Sequence, residues 1–281
     1  MLMPMQAAAD SAAAAASFSR FLTWMLPPAI STFAPDIDRL YYVVLVITTI
    51  AFVVVEVGLV YFCFKYRAKP GRQAQYSVGG VTETVLQALG VRPKDGGPVG
   101  EPMRKAFYIH GSTAAELIWT AIPTVTVVAL GIASAGLWNH IKGRSSVPAD
   151  ALAFGVRAKQ FEWNVTYPGA DGKLGTPDDF TVRNQLHVPV NRPILVNLTA
   201  EDAIHSFFVP AFRLRQDAVP GMTIRVWFQA TKTGTMELAC SQLCGLGHYK
   251  MRAIVTVHTQ QDYDAWVADQ IAQHAQTVAL R

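Results

Sequence analysis

The stretch "ELACSQLCGLGHYKMRAIVTVH", residues Glu237 to His258, places two cysteines, a histidine and a methionine at Cys240, Cys244, His248 and Met251, then runs into the alternating segment "AIVTVH". The alternation predicts a half-buried strand, and the cluster ahead of it predicts a ligand-bearing loop at the strand's end. With only 3 cysteines in 281 residues, two in one loop call for a reason. One reason is a disulfide, the common fate of paired cysteines in an oxidising compartment. The other is a metal. C-x3-C-x3-H-x2-M combines thiolate, imidazole and thioether, the soft set that copper selects and to which zinc rarely adds methionine. His205, in "EDAIHSFFVPAF", lies upstream on a predicted loop between strands and is the candidate for a further ligand. One cysteine with two histidines and a methionine describes a mononuclear blue-copper site. Two cysteines allow both thiolates to bridge a pair of coppers, each capped by one histidine, an arrangement that suits fast one-electron transfer and leaves no obvious open position for substrate.

Around this motif, from Ser146 onward, short β-rich runs alternate with turn residues: "ALAFGVRAKQFEWNVTYP", "FTVRNQLHVP", "RPILVNLTA" and "TIRVWFQA". So many short strands predict an all-β sandwich over residues 146–260, followed by an amphipathic C-terminal helix and tail over 261–281. In the loop "YPGADGKLGTPDDF", Asp171, Asp178 and Asp179 raise a calcium reading, but their spacing does not match a helix-flanked twelve-residue loop. A solvated hairpin is the expectation.

Toward the N-terminus the texture becomes apolar. Tyr41 to Phe64 carries one ionisable acid, Glu56, and Leu117 to Trp138 carries none, with Trp119 and Trp138 near its ends. Both runs are long enough to cross a bilayer as helices. Lys65, Arg67, Lys69, Arg72, Arg92, Lys94, Arg104 and Lys105 crowd residues 65–116 between them, which places that loop in the cytoplasm and both termini outside. This loop accounts for most of the formal +4 charge. From Asp150 onward acids and bases balance, so no nucleic-acid partner is expected. Residues 1–40 form an Ala-rich external segment without the basic start of a signal peptide. A short amphipathic helix is expected over "VTETVLQALGV" in the loop. Cys63 reads as a small apolar filler.

Taken together, "AELIWTAIPT", "AKQFEWNVTYP", "LHVPVNRPILVNLTAEDAIHSFFVPAFRLRQDAVPG" and "CSQLCGLGHYKM" resemble subunit II of the haem–copper cytochrome c oxidases, from about Tyr41 to His258. The resemblance implies a two-helix transmembrane hairpin followed by a cupredoxin-like sandwich holding a binuclear copper centre. It implies copper ligands at His205, Cys240, Cys244, His248 and Met251 and at the backbone carbonyl of Gln242, with the cysteines as bridging thiolates kept reduced until loading. It also implies a haem-bearing subunit I and further oxidase subunits as partners, a cytochrome c donor, and a place in the bacterial inner membrane with the copper domain on the periplasmic side. Glu116 falls where the family has a glutamate at the mouth of a proton pathway.

Two positions depart from the family pattern. Where a glutamate commonly helps hold magnesium at the subunit junction, this chain has Gln242, a weaker ligand for a hard cation, so that magnesium site is in doubt. Where members fed by soluble cytochrome c usually carry "QWYW", this chain has "QFEW": Phe161 stands at the position through which electrons are thought to enter, and Trp163 is kept. With balanced charge as well, a donor that is tethered or held in a supercomplex is expected. C-x-x-C-H is absent, so oxygen chemistry lies in a partner. The rivals are a quinol-oxidase subunit, whose relatives lack the copper ligands, nitrous oxide reductase, which lacks two membrane anchors, and an exported scaffold domain with a disulfide.

Overall fold

The computed structural model describes residues 26–67, 112–143 and 146–279. The helix expected over "VTETVLQALGV", most of the basic loop and the Ala-rich start lie outside the described residues. The chain divides into a helical unit, Tyr42–Gly136, and a β-rich unit made of Met1–Tyr41 and Leu137–Arg281.

Two helices span the apolar runs. Helix α1, Ala34–Tyr66, has 33 residues and α2, Thr113–Lys142, has 30. At about 1.5 Å per residue each is longer than a bilayer's hydrocarbon core of roughly 30 Å. Both extend beyond the expected 41–64 and 117–138 because their flanking polar turns also suit a helix. Pro35 and Asp36 sit in the first turn of α1 and Lys65 in its last, where acid and base complement the helix dipole. At the start of α2, the Ser112 hydroxyl accepts from the Ala115 N–H at 3.4 Å, while His140 and Lys142 close its end. Pro123 lies inside α2, and next to the interruption the Thr124 hydroxyl donates to the Thr120 carbonyl at 2.7 Å. In neither helix is any of the most apolar window buried, which removes the reading of a soluble core helix.

The β-rich unit is a sandwich of two five-stranded sheets. In chain order the strands are β1 Leu152–Lys159, β2 Glu162–Tyr167, β3 Phe180–Arg183, β4 Gln185–Pro189, β5 Pro193–Ala200, β6 His205–Val209, β7 Leu214–Ala218, β8 Ile224–Gln229, β9 Gly234–Cys240 and β10 Arg252–His258. One sheet has the order β3-β2-β1-β5-β8 and the other β4-β10-β9-β6-β7. The β1–β5 and β4–β10 pairs are parallel and the remaining neighbours antiparallel. Period-two alternation fills the core: Trp163, Val165 and Tyr167 of β2, Ile194, Val196 and Leu198 of β5, and Ala253, Val255 and Val257 of β10 all point inward. On β6 the inward set is His205, Phe207 and Val209, so a histidine occupies a core-facing position at the strand's first residue.

The expected single run "ALAFGVRAKQFEWNVTYP" folds as the β1–β2 hairpin, turning at Gln160–Phe161 with Lys159 opposite Glu162. The acidic loop joins the antiparallel pair β2–β3. Its carboxylates accept from within the loop: Asp178 from the Thr176 hydroxyl at 2.7 Å, Asp179 from the Gly175 N–H at 2.7 Å and Asp171 from the Lys173 N–H at 2.8 Å. That is the hairpin expected.

A division at residue 146 misses the N-terminal contribution to the sandwich. Ser31 bridges Ala230, the Ser31 hydroxyl donates to the Phe212 carbonyl at 2.7 Å, and Phe33 is buried in the core. Arg213, at φ 54, reaches from the turn after β6 to Asp38 with Nε–Oδ1 2.6 Å and Nη2–Oδ2 3.0 Å, and Nη2 also donates to the Pro27 carbonyl. The side chain's bonds offset a backbone conformation that a non-glycine residue disfavours.

The final helix, α3 Gln260–Ala279, starts at Thr259, whose hydroxyl accepts from the Asp262 N–H at 3.2 Å and donates to the Asp262 carboxylate at 2.7 Å. It is pinned to the sandwich by Trp266, stacked on the His187 ring with centroids 4.1 Å apart. His187 Nε2 lies 3.2 Å from Gln185 Oε1, which can only accept, so Nε2 carries the proton and Nδ1 accepts from His258 Nε2–H at 2.8 Å. Burial first and His258 second bring His187 down to about 4. Between pH 4 and 6.5 the unfolded chain therefore binds more protons than the folded one, and stability rises with pH across that window. We expect the domain to lose on the order of 1–3 kcal/mol on going from pH 6.5 to 4. A His187→Phe variant, which keeps the stack and removes the titration, should show a flatter dependence in thermal denaturation. Equal slopes in both proteins would contradict the assignment.

Candidate metal centre

The ligand-bearing side chains meet where β9 ends and β6 begins. Strand β9 delivers Cys240 at its last residue, and pairing of Phe207 with Cys240 sets the first residues of β6 alongside. The loop 241–251 then folds back, closed by Cys240 N–H to the Met251 carbonyl at 3.0 Å, which brings Cys244, His248 and Met251 over the same spot. The Cys240 and Cys244 sulfurs are 3.9 Å apart. Cys244 Sγ lies 3.6 Å from His248 Nδ1 and 3.8 Å from Met251 Sδ, and Cys240 Sγ lies 3.1 Å from the Gln242 carbonyl. One ligand atom each from His205, Cys240 and Cys244 falls within 4.8 Å of the others.

The two sulfurs are not bonded in this structure. A disulfide needs about 2.05 Å between sulfurs, and both thiols here are free. The separation is also less than twice a metal–thiolate bond of about 2.3 Å, so one ion can reach both sulfurs. His205 is wholly buried and its Nδ1 has no hydrogen-bond partner, while Nε2 is held by Asp202 Oδ1 at 2.8 Å. A buried ring nitrogen without a partner is costly unless something occupies it, as a metal ion would. The residues present therefore fit a soft metal, with Nδ1 of His205 and Nδ1 of His248 as the imidazole donors. Burial first and the neighbouring Cys240 second push the Cys244 thiol up to about 11, so a metal entering the site displaces protons.

Asp202, Gln160 and Arg215 brace the site through hydrogen bonds, and none of these three residues was singled out from the sequence. Asp202 accepts from His205 and, through Oδ2, from the Gln160 N–H at 2.8 Å. Burial opposes ionisation of Asp202, but the bonds from His205, Gln160 and Ala203 outweigh it and hold the carboxyl below the usual range. Gln160 Nε2 donates to the Cys244 carbonyl at 2.5 Å, and Arg215 reaches the Ser241 carbonyl at 3.3 Å. Phe161 presses its ring on the two loop glycines: a Cβ on Gly247 would overlap that ring, and one on Gly245, at φ 135, would lie 2.7 Å from Gln160 Nε2. The spacing of Asp202, three residues before His205, is the signal that could have revealed the first of these. Asp202→Ala should lower metal affinity by about 10- to 100-fold while the sandwich stays folded, as read by competitive metal titration and circular dichroism. Unchanged affinity would mean that His205 is oriented by packing alone.

Trp163 is fully buried beneath the site, edge-on to His205 at 6.3 Å and to Phe207 at 5.7 Å, whereas Phe161 is half-exposed. The rim of the ligand loop is apolar and open, with Leu243 77%, Leu246 96% and Tyr249 77% exposed. Glu116 sits exposed on the first turn of α2, and Glu56 and Cys63 are exposed on α1.

This architecture agrees with the comparisons to known proteins. The family model described as cytochrome c oxidase subunit II, periplasmic domain, matches residues 160–258, and the corresponding transmembrane-domain model matches 99–137. Cytochrome c oxidase subunit 2 of Thermostichus vulcanus is 31% identical over 284 residues, covering 86% of this chain and 77% of the relative.

The chain belongs to the cytochrome c oxidase subunit II family.

A further member, the alternative cytochrome c oxidase subunit 2 of Bradyrhizobium diazoefficiens, is 29% identical over 275 residues, covering 90% of this chain and 86% of the relative. Among solved structures, the periplasmic domain of subunit II of cytochrome oxidase from Bradyrhizobium japonicum shares 33% identity and aligns over 46% of this chain and 99% of its own, with a TM-score of 0.41. As a member of the family, this chain is a membrane-anchored subunit of an oxidoreductase complex with a periplasmic β-domain.

Proposed function

We propose that this subunit holds two copper ions between Cys240 and Cys244 and accepts single electrons from a cytochrome c for delivery to haem in the catalytic subunit, where oxygen is reduced and protons are pumped. The observation that carries this reading is the convergence of two unbridged thiols, Met251 Sδ and His248 Nδ1 beside a buried His205 Nδ1 that has no other partner. When bound, a thiolate-bridged copper pair supplies one-electron exchange with little change in bond lengths. The chain's own part is to hold and shield it. Cys240 and Cys244 would bridge, His205 and His248 would each cap one ion, and Met251 and the Gln242 carbonyl would complete the donors. Asp202 fixes the His205 tautomer, and both cysteines and Met251 are buried. Copper analysis of the purified complex tests the reading.

A copper-lacking quinol-oxidase subunit is disfavoured by the complete donor set, and a disulfide-bearing scaffold by the 3.9 Å between sulfurs. The exposed apolar rim of Leu243, Leu246 and Tyr249 supports docking against partner oxidase subunits, including haem-bearing subunit I, at the outer face of a bacterial inner membrane. Gln242 contributes a carbonyl and a neutral amide, so a junctional magnesium is left out of the proposal.

The donor reading rests on Phe161 and on charge. Phe161 is the half-exposed aromatic beside the ligand loop and lacks an indole N–H, and the balanced charge of the domain gives little long-range steering of a basic protein. A tethered donor, or one held in a supercomplex, supplies by effective concentration what steering does not. Reduction of the complex by soluble basic cytochrome c in stopped flow should be slow and weakly dependent on salt. A fast reaction that falls steeply with ionic strength would overturn the tethered-donor reading.

A further inference from the structure

Where α2 ends against β8, a cavity of about 260 Å³ is lined by Ile141, Lys142, Ser146, Val147, Arg225 and Trp227, among others, none of them a candidate metal ligand. Its lining carries two cations and no acid. The Lys142 side chain is partly buried, yet its ammonium meets only a neutral acceptor, Gln216 Oε1, at 2.6 Å. Arg225, on β8, has no ion-pair partner among the described residues. Part of the Lys142 charge answers the negative end of α2, but Arg225 stands on a strand and has no such role.

The other polar groups of the cavity are already engaged. Trp227 Nε1–H donates to the Ile141 carbonyl at 2.9 Å and the Ser146 hydroxyl to the same carbonyl at 3.0 Å. These bonds fasten the last turn of α2 to the sandwich and leave the two cations as the groups that still want an anion. Position supplies the second half of the argument. Lys142 closes a helix long and apolar enough to span a membrane, four residues after Trp138, which puts the cavity's lining at the end of that span, where lipid headgroups lie. Ile141, Val147 and Val226 form an apolar wall beside the cations, which suits the start of an acyl chain and would be wasted on a free ion.

We propose that this cavity binds the phosphodiester headgroup of an anionic phospholipid, with Lys142 and Arg225 on the phosphate and the wall of Ile141, Val147 and Val226 against the glycerol and first methylenes. The lipid then cements the junction between α2 and the sandwich from the membrane side.

The test uses the full chain in detergent micelles with a photoactivatable phosphatidylglycerol, crosslinks being mapped by peptide mass spectrometry. Crosslinks to 141–147 and 225–227 are expected, outcompeted by plain phosphatidylglycerol and not by phosphatidylcholine. In Lys142→Gln/Arg225→Gln labelling should fall about 20-fold, as expected for losing two basic contacts to an anionic lipid. Lys142→Arg should keep it, which separates charge from folding. Equal labelling by the two lipids, or labelling unchanged in the double variant, would overturn the proposal. Displacement by millimolar inorganic phosphate would overturn the lipid assignment in favour of free phosphate. Crosslinks elsewhere on the chain would leave the cations to a carboxylate of a partner subunit, and would equally overturn it.

Discussion

Cys244→Ser is expected to abolish the proposed paired-copper site while leaving the sandwich folded. The sulfur of Cys244 is the hub of the centre, in contact with Cys240 Sγ, His248 Nδ1 and Met251 Sδ at 3.9, 3.6 and 3.8 Å. Replacing it by a hard hydroxyl removes one of two soft anionic donors and the atom around which the others are gathered. The expected result is loss of bound copper by at least about 100-fold in affinity, together with the thiolate-to-copper absorption. The apo fold should be little affected, because the substitution is small and changes stability by about 1 kcal/mol. Cys63→Ser, on the exposed face of α1, is the control and should retain all copper. A Cys244→Ser protein with full copper content would show that Cys240 and the histidines suffice.

Trp163→Ala is the second large effect, and it acts through packing. The indole is fully buried, edge-on to Phe207 and to His205, and no smaller side chain fills that volume. Truncation should cost about 3–5 kcal/mol, which is a large part of the stability of a domain this size. Because the cavity opens directly beside His205, copper affinity should fall as well. Trp163→Phe keeps most of the volume and should recover most of both. If Trp163→Ala lowered electron transfer without lowering the melting temperature, the residue would act as more than packing.

Much of this architecture was legible in the sequence, for identifiable reasons. The two spanning helices follow from long apolar runs, and the strands β5, β8 and β10 from short β-rich runs between turn residues, with alternation clearest in "AIVTVH". The candidate donor cluster was legible because Cys240, Cys244, His248 and Met251 lie within twelve residues of one another, where spacing alone suggests chemistry. What was not legible depends on contacts across long stretches of chain. Nothing in "ISTF" announces a segment that pairs with Ala230 and buries Phe33, because four residues are too few to display a period. Arg213 looks like one of several arginines until the fold brings Asp38 to it. Gln160 and Phe161 lie inside one β-rich run of sequence without a turn residue to mark them, yet they turn and clamp the ligand loop through the Cys244 carbonyl and the glycines at 245 and 247. The stacked pair His187 and His258 is separated by most of the domain in sequence and meets only because β4 and β10 run parallel.

The central claim, a copper pair held between two unoxidised cysteines, is tested most directly by measuring metal content and thiol state together on the purified complex. Elemental analysis gives the copper carried in this subunit's domain, and alkylation under denaturing conditions, with and without prior reduction, gives the state of the peptide carrying Cys240 and Cys244. The account predicts two coppers in the domain, and both cysteines alkylated without reduction once the metal is chelated. A Cys240–Cys244 disulfide in the copper-replete complex, or a single zinc in place of copper, would contradict it.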